Sequence, residues 1–367
     1  MKKIIFLVLL TAFSSAWCQN PVSYPKDTVG LSRPELNFEV LWHTFEDNYA
    51  FFSLRKVDWH AAYKKYRPAI TASTSDDSLY ACFSRMLAPF HDDHINLIVP
   101  GVRQFKSVGA SQFAAEFPTR ADRDQLRNVT EAELSKNGFA PLKYFGTKVN
   151  ELPLFACSKS KKTGYLRFNR CFVDGDAESV PDAAAASKIL DSVFTYLNGA
   201  SAMIVDVRDN IGGNDEFAYE VAARFAREKI VGMYKQSRMP GGSYEEFGTC
   251  QVWYITPKGN RAAKKVVVLT SDKTVSAADV FAMIMKEIPG VTLVGSNSRG
   301  IYSDMYGFTL PNGWLVSLSN QRYYNNRHEC YEGMGAPVNI RVLNTKADAE
   351  RQGDPVLIAA LSALKVK

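Results

Sequence analysis

The sequence has 367 residues, of which 46% are hydrophobic and 22% are charged. This length allows one large or two ordinary domains, and the composition is too apolar for an intrinsically disordered chain. The formal net charge is +6, two units of which come from Lys2 and Lys3. A disulfide-stapled miniprotein is excluded, and the absence of long blocks of like charge gives no indication of nucleic-acid binding.

Residues 1–18 have the three parts of a secretory signal. Lys2 and Lys3 precede an apolar run over Ile4–Phe13, and small residues follow it. The run is too short to span a bilayer, and no later stretch has 18 uninterrupted apolar residues. Cleavage after Ala16 or after Cys18 fits the pattern. We therefore expect an exported protein, periplasmic or secreted, with no membrane span once the signal is removed.

A small helical subdomain is predicted over residues 30–95. Between residues 36 and 87, aromatic and aliphatic side chains recur three and four positions apart, which is typical of amphipathic helices. The repeat is carried by Phe38, Leu41, Trp42, Phe45 and Tyr49. His91 and His94 then lead into an alternating segment, residues 95–99, that ends at a proline and predicts a strand. The two histidines thus lie at the junction of two elements.

The rest of the chain divides into a connecting segment, residues 96–155, and a predicted core, residues 156–367. The connecting segment has one plausible helix near residues 131–136 and is otherwise unassigned. In the core, apolar strands alternate with helices, which indicates an α/β fold. The predicted strands cover residues 164–168, 202–207, 265–270 and 291–295, the helices 183–197, 216–227 and 277–288, and a hairpin 308–310 with 314–319.

Ser276 stands at the start of a helix that is apolar nearly all round. A serine in this position has free backbone N–H groups and the positive end of the helix dipole beside it, and both would stabilise an oxyanion. Serine is also a favoured helix N-cap, so a purely structural role is the alternative.

Gly212 and Gly213 follow the apolar strand at residues 204–207. Two adjacent glycines allow a close approach of the backbone and can direct N–H groups into a cleft. The pair could therefore complete an oxyanion hole. The alternative is an ordinary turn between a strand and a helix, with Asn214 as the helix cap.

The histidines are candidates for a general base. His91 and His94 lie three residues apart, but no H-E-x-x-H pattern follows and the cysteines lack metal-binding spacing. We therefore expect no metal and no cofactor, and one of these histidines could serve a nucleophilic serine. Glu332, in a glycine-rich turn, is an acid that could orient a base or the substrate.

Taken together and in this order, these segments resemble the tail-specific (C-terminal-processing) serine protease family, especially its tricorn-core and retinoid-binding-protein-like branch. The resemblance covers about residues 36–340. Five motifs carry it: Asn48–Phe52 with Val57–Trp59, Asp92–His94, Asp206–Gly213, Thr270–Ala278, and Tyr331–Gly335.

The resemblance implies a ClpP/crotonase-like α/β protease core preceded by the helical subdomain. By position, Ser276 matches the nucleophile and His94 the general base of the family, and Glu332 matches the acid of the tricorn-type site. The oxyanion hole would consist of the N–H of Ala277 and one N–H of Gly212–Gly213. Peptides or unfolded protein segments would be the substrates, and an acyl-enzyme the intermediate.

Three features depart from the family pattern. No lysine lies between Lys286 and Lys346, so the Ser-Lys mechanism of the bacterial branch is disfavoured, and Arg299 cannot replace a deprotonated lysine. Asp93 stands directly before His94, where it could raise the histidine pKa or orient the ring. The connecting segment is too short for a PDZ domain, so none is expected.

The alternative function is non-catalytic. A protein with the same fold could bind peptides or hydrophobic ligands without cleaving them.

Overall fold

The computed structural model describes residues 20–174, 182–259 and 265–365, so the predicted signal sequence lies outside the described residues. The chain forms two units, each built from three separate stretches of sequence. The first unit contains the residues up to Ala110, Lys235–Gln251 and Ser303–Arg322, and the second contains the remainder. The predicted boundaries at residues 95 and 155 divide the chain differently, because Ser303–Arg322 joins the first unit instead of the α/β core.

The described residues of the first unit form four α-helices and an antiparallel sheet whose strand order is β11-β12-β1-β2. The predicted helical region, the strand before Pro100 and the later hairpin are all present. Elements are numbered in chain order, and those of this unit are α1 (Arg33–Asn48), α2 (Phe52–Arg55), α3 (Trp59–Tyr66), α4 (Asp76–Leu87), β1 (Asn96–Val99), β2 (Arg103–Lys106), β11 (Met305–Thr309) and β12 (Leu315–Ser319).

Aromatic side chains fill the core of the first unit. The indole N–H of Trp42 donates to the Trp59 carbonyl at 3.1 Å, and the Trp59 indole donates back to the Trp42 carbonyl at 3.0 Å. This exchange ties α1 to α3 and satisfies both indoles inside an apolar cluster. The N-cap of α1 is Ser32, whose N–H donates to the Glu35 carboxylate at 3.0 Å in a capping box.

The second unit is built on a seven-stranded sheet with the order β14-β10-β9-β6-β5-β4-β3. The five strands from β14 to β5 are parallel, and β4 and β3 are added antiparallel. Its strands are β3 (Lys143–Val149), β4 (Leu152–Lys159), β5 (Thr163–Phe168), β6 (Ala202–Asp206), β9 (Lys265–Thr270), β10 (Val291–Gly295) and β14 (Ile340–Arg341). Its helices are α5 (Gln112–Glu116), α6 (Arg120–Lys136), α7 (Asp182–Tyr196), α8 (Asp215–Ala222), α9 (Ala277–Lys286), α10 (Lys346–Glu350) and α11 (Pro355–Lys365).

Both faces of this sheet are covered by helices. Alternate residues of the central strands enter two different apolar clusters: Val205 and Val268 pack with α7, α8 and α9, whereas Ile204 and Val267 pack with α6 and α11. Burial on both faces explains why these strands are continuous apolar runs. The arrangement confirms the predicted α/β fold, with a helical region before a sheet-rich core.

A further three-stranded sheet has the order β13-β7-β8. Its strands are β7 (Ile230–Ser237), β8 (Gln251–Ile255) and β13 (Gln321–Tyr324). Within the described ranges, no helix has both the length and the apolar character needed to cross a membrane.

Candidate active site

Three loops leave the same edge of the second unit's sheet. Strands β6, β9 and β10 are parallel neighbours, so their carboxyl ends lie together. The loops that follow them comprise residues 207–214, 271–276 and 296–302. In open α/β sheets, ligand sites are built at this edge. Ser276 and the Gly212–Gly213 pair, both candidates from the sequence, lie on two of these loops.

Hydrogen bonds attach the loop before Ser276 to the segment after β6. The Thr274 hydroxyl donates to the Val207 carbonyl at 2.7 Å, and the Val275 N–H donates to the Asn210 carbonyl at 3.2 Å. Both partners lie just before the glycine pair in sequence. The chain entering Ser276 therefore has a defined position relative to Gly212.

Ser276 has a backbone conformation that side-chain-bearing residues rarely adopt. It occupies the N-cap position of α9, but its φ is 61° and its ψ is −128°. An ordinary N-cap lies in the β region, and holding a residue in a sparsely populated region costs about 1–3 kcal/mol. The Ser276 N–H donates to the Ile301 carbonyl at 3.1 Å. The conformation is that of a strained turn rather than of a common helix cap.

Gly212 lies directly against this turn. A Cβ on Gly212 would come within 2.6 Å of the Ser276 Cβ and of the Val275 carbonyl oxygen, so no side chain fits. The φ of Gly212 is 81°, which also favours glycine. Its N–H donates to the Asn210 side-chain oxygen at 2.8 Å. The Gly212 amide is thus already used in holding the loop.

Two backbone N–H groups near Ser276 have no acceptor in the described part of the chain. Within residues 20–174, 182–259 and 265–365, the N–H groups of Ala277 and Gly213 form no hydrogen bond. Ala277 begins α9, so its amide is at the positive end of the helix dipole. A Cβ on Gly213 would lie 2.6 Å from the Cys171 carbonyl, so this position also requires glycine. These two amides are available to a developing negative charge.

Asp279 connects the start of α9 to the loop at residues 296–302. Its buried carboxylate accepts N–H groups from Ser276 at 3.1 Å, Gly300 at 2.8 Å and Ile301 at 3.1 Å. Burial raises the pKa of Asp279 to about 7, against the lowering effect of a hydrogen bond with the Ser298 hydroxyl and of these three backbone hydrogen bonds. The carboxylate that accepts the Ser276 N–H therefore has a pKa near neutral.

Glu332 is buried beside the same loop. Its carboxylate accepts the Tyr302 N–H at 2.9 Å. Tyr302 directly follows Ile301, whose carbonyl accepts the Ser276 N–H. The second unit therefore contains five of the candidate residues close to one another in the site loops: Ser276, Ala277, Gly212, Gly213 and Glu332.

His94 belongs to the first unit, in the turn that leads into β1. Its N–H donates to the Asp92 carboxylate at 2.9 Å, and its carbonyl accepts the Ser317 hydroxyl at 2.6 Å. The Tyr49 hydroxyl donates to the other Asp92 oxygen at 3.0 Å. Asp92 thus fixes the backbone of His94, and it is itself held by Tyr49, the residue that follows α1.

The His94 imidazole is buried, with 6% of the residue exposed. Its Nδ1 has no hydrogen-bond partner among the residues that the structure describes. Burial lowers the pKa of His94, and the charges of Asp92 and Asp93 act in the opposite direction. Asp93, a candidate from the sequence, thus acts on the His94 pKa in the first unit, and burial outweighs it.

Sequence reasoning misses two residues, Asn210 and Asp279, that hold the backbone of the candidate site. Asn210 accepts the Gly212 N–H, and Asp279 accepts the Ser276 N–H. The only available signal for Asp279 was the Ser-x-x-Asp spacing of a capping box. Across the described ranges, no group of three or more His, Cys, Asp or Glu side chains is placed to hold a metal ion.

The comparisons with known proteins agree on one protein family. The sequence profile of peptidase family S41 matches residues 162–342, and that of the tricorn protease C1 domain matches residues 33–88. The chain is 24% identical over 147 residues to the chloroplastic carboxyl-terminal-processing peptidase 1 of Arabidopsis thaliana. That match covers 40% of this chain and spans only 28% of the length of the plant protein.

Solved structures share the fold over most of the chain. A candidate peptidase from Parabacteroides merdae is 25% identical, with a TM-score of 0.73 over 92% of this chain and 98% of its own. Mature CPAF is 12% identical, with a TM-score of 0.64 over 90% and 96%. The photosystem II D1 C-terminal processing protease is 13% identical, with a TM-score of 0.51 over 85% and 94%.

The two profiles match the helical region and the core in the order that the sequence motifs predicted. Together these matches support the tail-specific protease family, peptidase family S41, a family of serine peptidases, as the family of this chain.

Proposed function

We propose that this protein is an exported serine endopeptidase that cleaves peptides or unfolded protein segments through an acyl-enzyme, with Ser276 as the nucleophile and His94 as the general base. The observation that carries this proposal is the strained turn at Ser276, followed immediately by the Ala277 amide, which has no acceptor among the described residues. Strained nucleophile turns with adjacent free amides are suited to acyl transfer.

In the proposed first step, Ser276 Oγ attacks the carbonyl carbon of the scissile peptide bond while its proton passes to His94. The carbonyl oxygen becomes an oxyanion and accepts hydrogen bonds from the N–H groups of Ala277 and Gly213. His94 then gives the proton to the leaving amine, and the C–N bond breaks. Water, deprotonated by His94, then attacks the ester carbon, the bond from this carbon to Ser276 Oγ breaks, and His94 returns the proton to Oγ.

The second oxyanion donor is assigned to Gly213 because the Gly212 N–H already donates to Asn210. Gly212 instead provides the space that the serine turn needs, since any side chain there would collide with Ser276. The two glycines therefore have different proposed roles. Loss of one oxyanion donor typically costs about 10²–10³ in kcat.

The acidic residues are proposed to support the catalytic pair. Glu332 fixes Tyr302, next to the residue whose carbonyl accepts the Ser276 N–H. Asp93 contributes negative charge near His94. Because the pKa of His94 is lowered, the imidazole would be neutral at pH 7, which a general base requires.

The substrate class follows from the family, whose members include carboxyl-terminal processing peptidases. We propose peptide or unfolded protein substrates and no cofactor. Export is proposed from residues 1–18 alone, and it predicts a periplasmic or secreted protein. N-terminal sequencing of the protein recovered outside the cytoplasm should give a start after Ala16 or Cys18, whereas an intact Met1 would contradict export.

The direct test is labelling with a fluorophosphonate followed by peptide mapping. Label on Ser276 that is lost in His94→Ala, with both proteins shown to be folded, would support the proposal. A folded wild-type protein that takes no label would favour the alternative, a non-catalytic protein that binds peptides or hydrophobic ligands on the same fold.

A further inference from the structure

Asp279 makes more contacts than a helix cap needs. The acid at the third position of a capping box normally accepts the N–H of the N-cap residue alone. Asp279 accepts the Ser276 N–H and also the N–H groups of Gly300 and Ile301, which belong to a different loop. Its carboxylate therefore joins the proposed nucleophile to the loop that follows β10.

We propose that Asp279 is a positioning residue for the acyl-transfer reaction: its ionised carboxylate keeps Ser276 in the strained turn by holding the Ser276, Gly300 and Ile301 amides together. This inference rests on the proposed role of Ser276 as nucleophile. Asp279 does not itself touch the substrate in this arrangement. It acts through the backbone of Ser276 and through Ile301, whose carbonyl accepts the Ser276 N–H.

The ionised form is needed because the three backbone partners can only donate, and the hydrogen bond with the Ser298 hydroxyl also favours the ionised carboxylate. A carboxylate offers only acceptors, and hydrogen bonds from N–H groups to an ionised acceptor are about twice as strong as neutral ones. A protonated carboxyl group would carry an O–H on one of the oxygens that accept these N–H groups, and only the Ser298 hydroxyl could accept from it. At least one of the three contacts would then weaken, and the loop would lose part of its link to Ser276.

The surroundings of Asp279 make this link sensitive to pH. The neighbouring titratable groups are Tyr302, on the loop, and Glu332, on the turn beside it; both are acids, and both Asp279 and Glu332 raise the pKa of Tyr302. Within the described residues Asp279 forms no salt bridge, and it is fully buried. Burial without a cation raises its pKa to about 7. Acidification below pH 7 would therefore release the loop.

The first test is the pH dependence of the rate in Asp279→Asn. Asn has a similar shape but no charge, so we expect a folded variant with kcat reduced about 10²-fold, as for a small misplacement of a reacting group. The acid limb of the wild-type profile should have a midpoint near 7. In the variant it should move below 6.5, to the lowered pKa of His94.

Asp348→Asn is the matched control. Asp348 is the third-position acid of α10 and accepts the Thr345 N–H at 3.0 Å, but it contacts no residue of the site loops within the described chain. This variant should keep the wild-type rate and midpoint. A wild-type rate and midpoint in Asp279→Asn would overturn the inference.

A second measurement does not depend on catalysis or on the stability of a variant at residue 279. In the Ser276→Ala protein labelled with ¹⁵N-glycine and ¹⁵N-isoleucine, the Gly300 and Ile301 amide resonances should titrate with a midpoint near pH 7. Amides that show no transition between pH 5.5 and 8.5 would overturn the inference. Absence of hydrolysis in a wild-type protein whose amides do titrate would refute the proposed catalytic function and leave the amide link established.

Discussion

Replacing Ser276 by glycine should stabilise the protein while removing its proposed nucleophile. The strained conformation at φ 61° costs about 1–3 kcal/mol, and glycine adopts positive φ freely. Glycine loses about 0.5–1 kcal/mol through its larger unfolded-state entropy. The net gain is therefore about 0.5–2 kcal/mol, which corresponds to a rise in Tm of roughly 1–8 °C for a unit of this size.

Ser276→Ala separates strain from capping. Alanine keeps the Cβ and the strain, so its Tm should stay close to that of the wild type. If Ser276 were an ordinary N-cap, alanine would cost about 1 kcal/mol and glycine a few tenths. Differential scanning calorimetry of the three proteins at pH 8 measures both effects, and a Ser276→Gly protein that melts below the wild type would refute the strain argument.

Ser32→Gly is the matched control for this comparison. Ser32 is also an N-cap that is followed three residues later by an acid, but its φ of −68° and ψ of 164° lie in the β region. Glycine should therefore bring no gain there and a loss of a few tenths of a kcal/mol. A gain at Ser276 together with a loss at Ser32 would assign the effect to backbone strain.

Three further predictions concern other parts of the molecule. Asn210→Ala should lower kcat by about 10²-fold, because the turn carrying Gly213 loses its side-chain acceptor, and should also lower the Tm, because the buried Gly212 N–H and Phe168 carbonyl lose their partner; steady-state kinetics at a temperature at which circular dichroism shows the variant to be folded would check this. The His94 pKa is lower in the folded than in the unfolded protein, so at this residue the folded state binds fewer protons and the contribution of His94 to stability should fall as the pH drops below 6.5. The raised pKa of Asp279 acts in the opposite direction in both proteins, so urea unfolding at pH 5 and 7 should show a less favourable change on acidification in the wild type than in His94→Ala. Trp59→Ala should cost about 3–5 kcal/mol in urea unfolding, since it removes a buried indole and its exchange of hydrogen bonds with Trp42.

The buried elements of the fold could be predicted from the sequence. Strands β9 and β10 have the predicted boundaries because they are apolar on both faces. The helix predicted to reach residue 227 ends at Ala222, and the carbonyl of Ala223 accepts the Lys258 N–H, a contact distant in sequence. Strand β3 is an edge strand whose side chains are largely exposed, so it has no apolar pattern that could be detected.

Three residues of the candidate site could be proposed from the sequence. Ser276, Gly212 and Gly213 stand out by residue type and by their place after apolar strands. Asp279 and Asn210 act on backbone amides, and neither the acceptor role nor the strained turn can be read from residue type. The placement of residues 303–322 with the helical region was also missed, because the pairing of β1 with β12 joins segments that are more than 200 residues apart in sequence.

Because the first unit consists of three separate stretches of sequence, it can complete its fold only late in the synthesis of the chain. Strand β1 lies between β2 and β12, with Leu97 opposite Val316, and the turn carrying His94 receives the Ser317 hydroxyl. A nascent chain that ends before residue 303 lacks both contacts. The turn therefore gains its full support only after nearly nine-tenths of the polypeptide has been synthesised, so a peptidase that depends on His94 would stay inactive during most of its own synthesis.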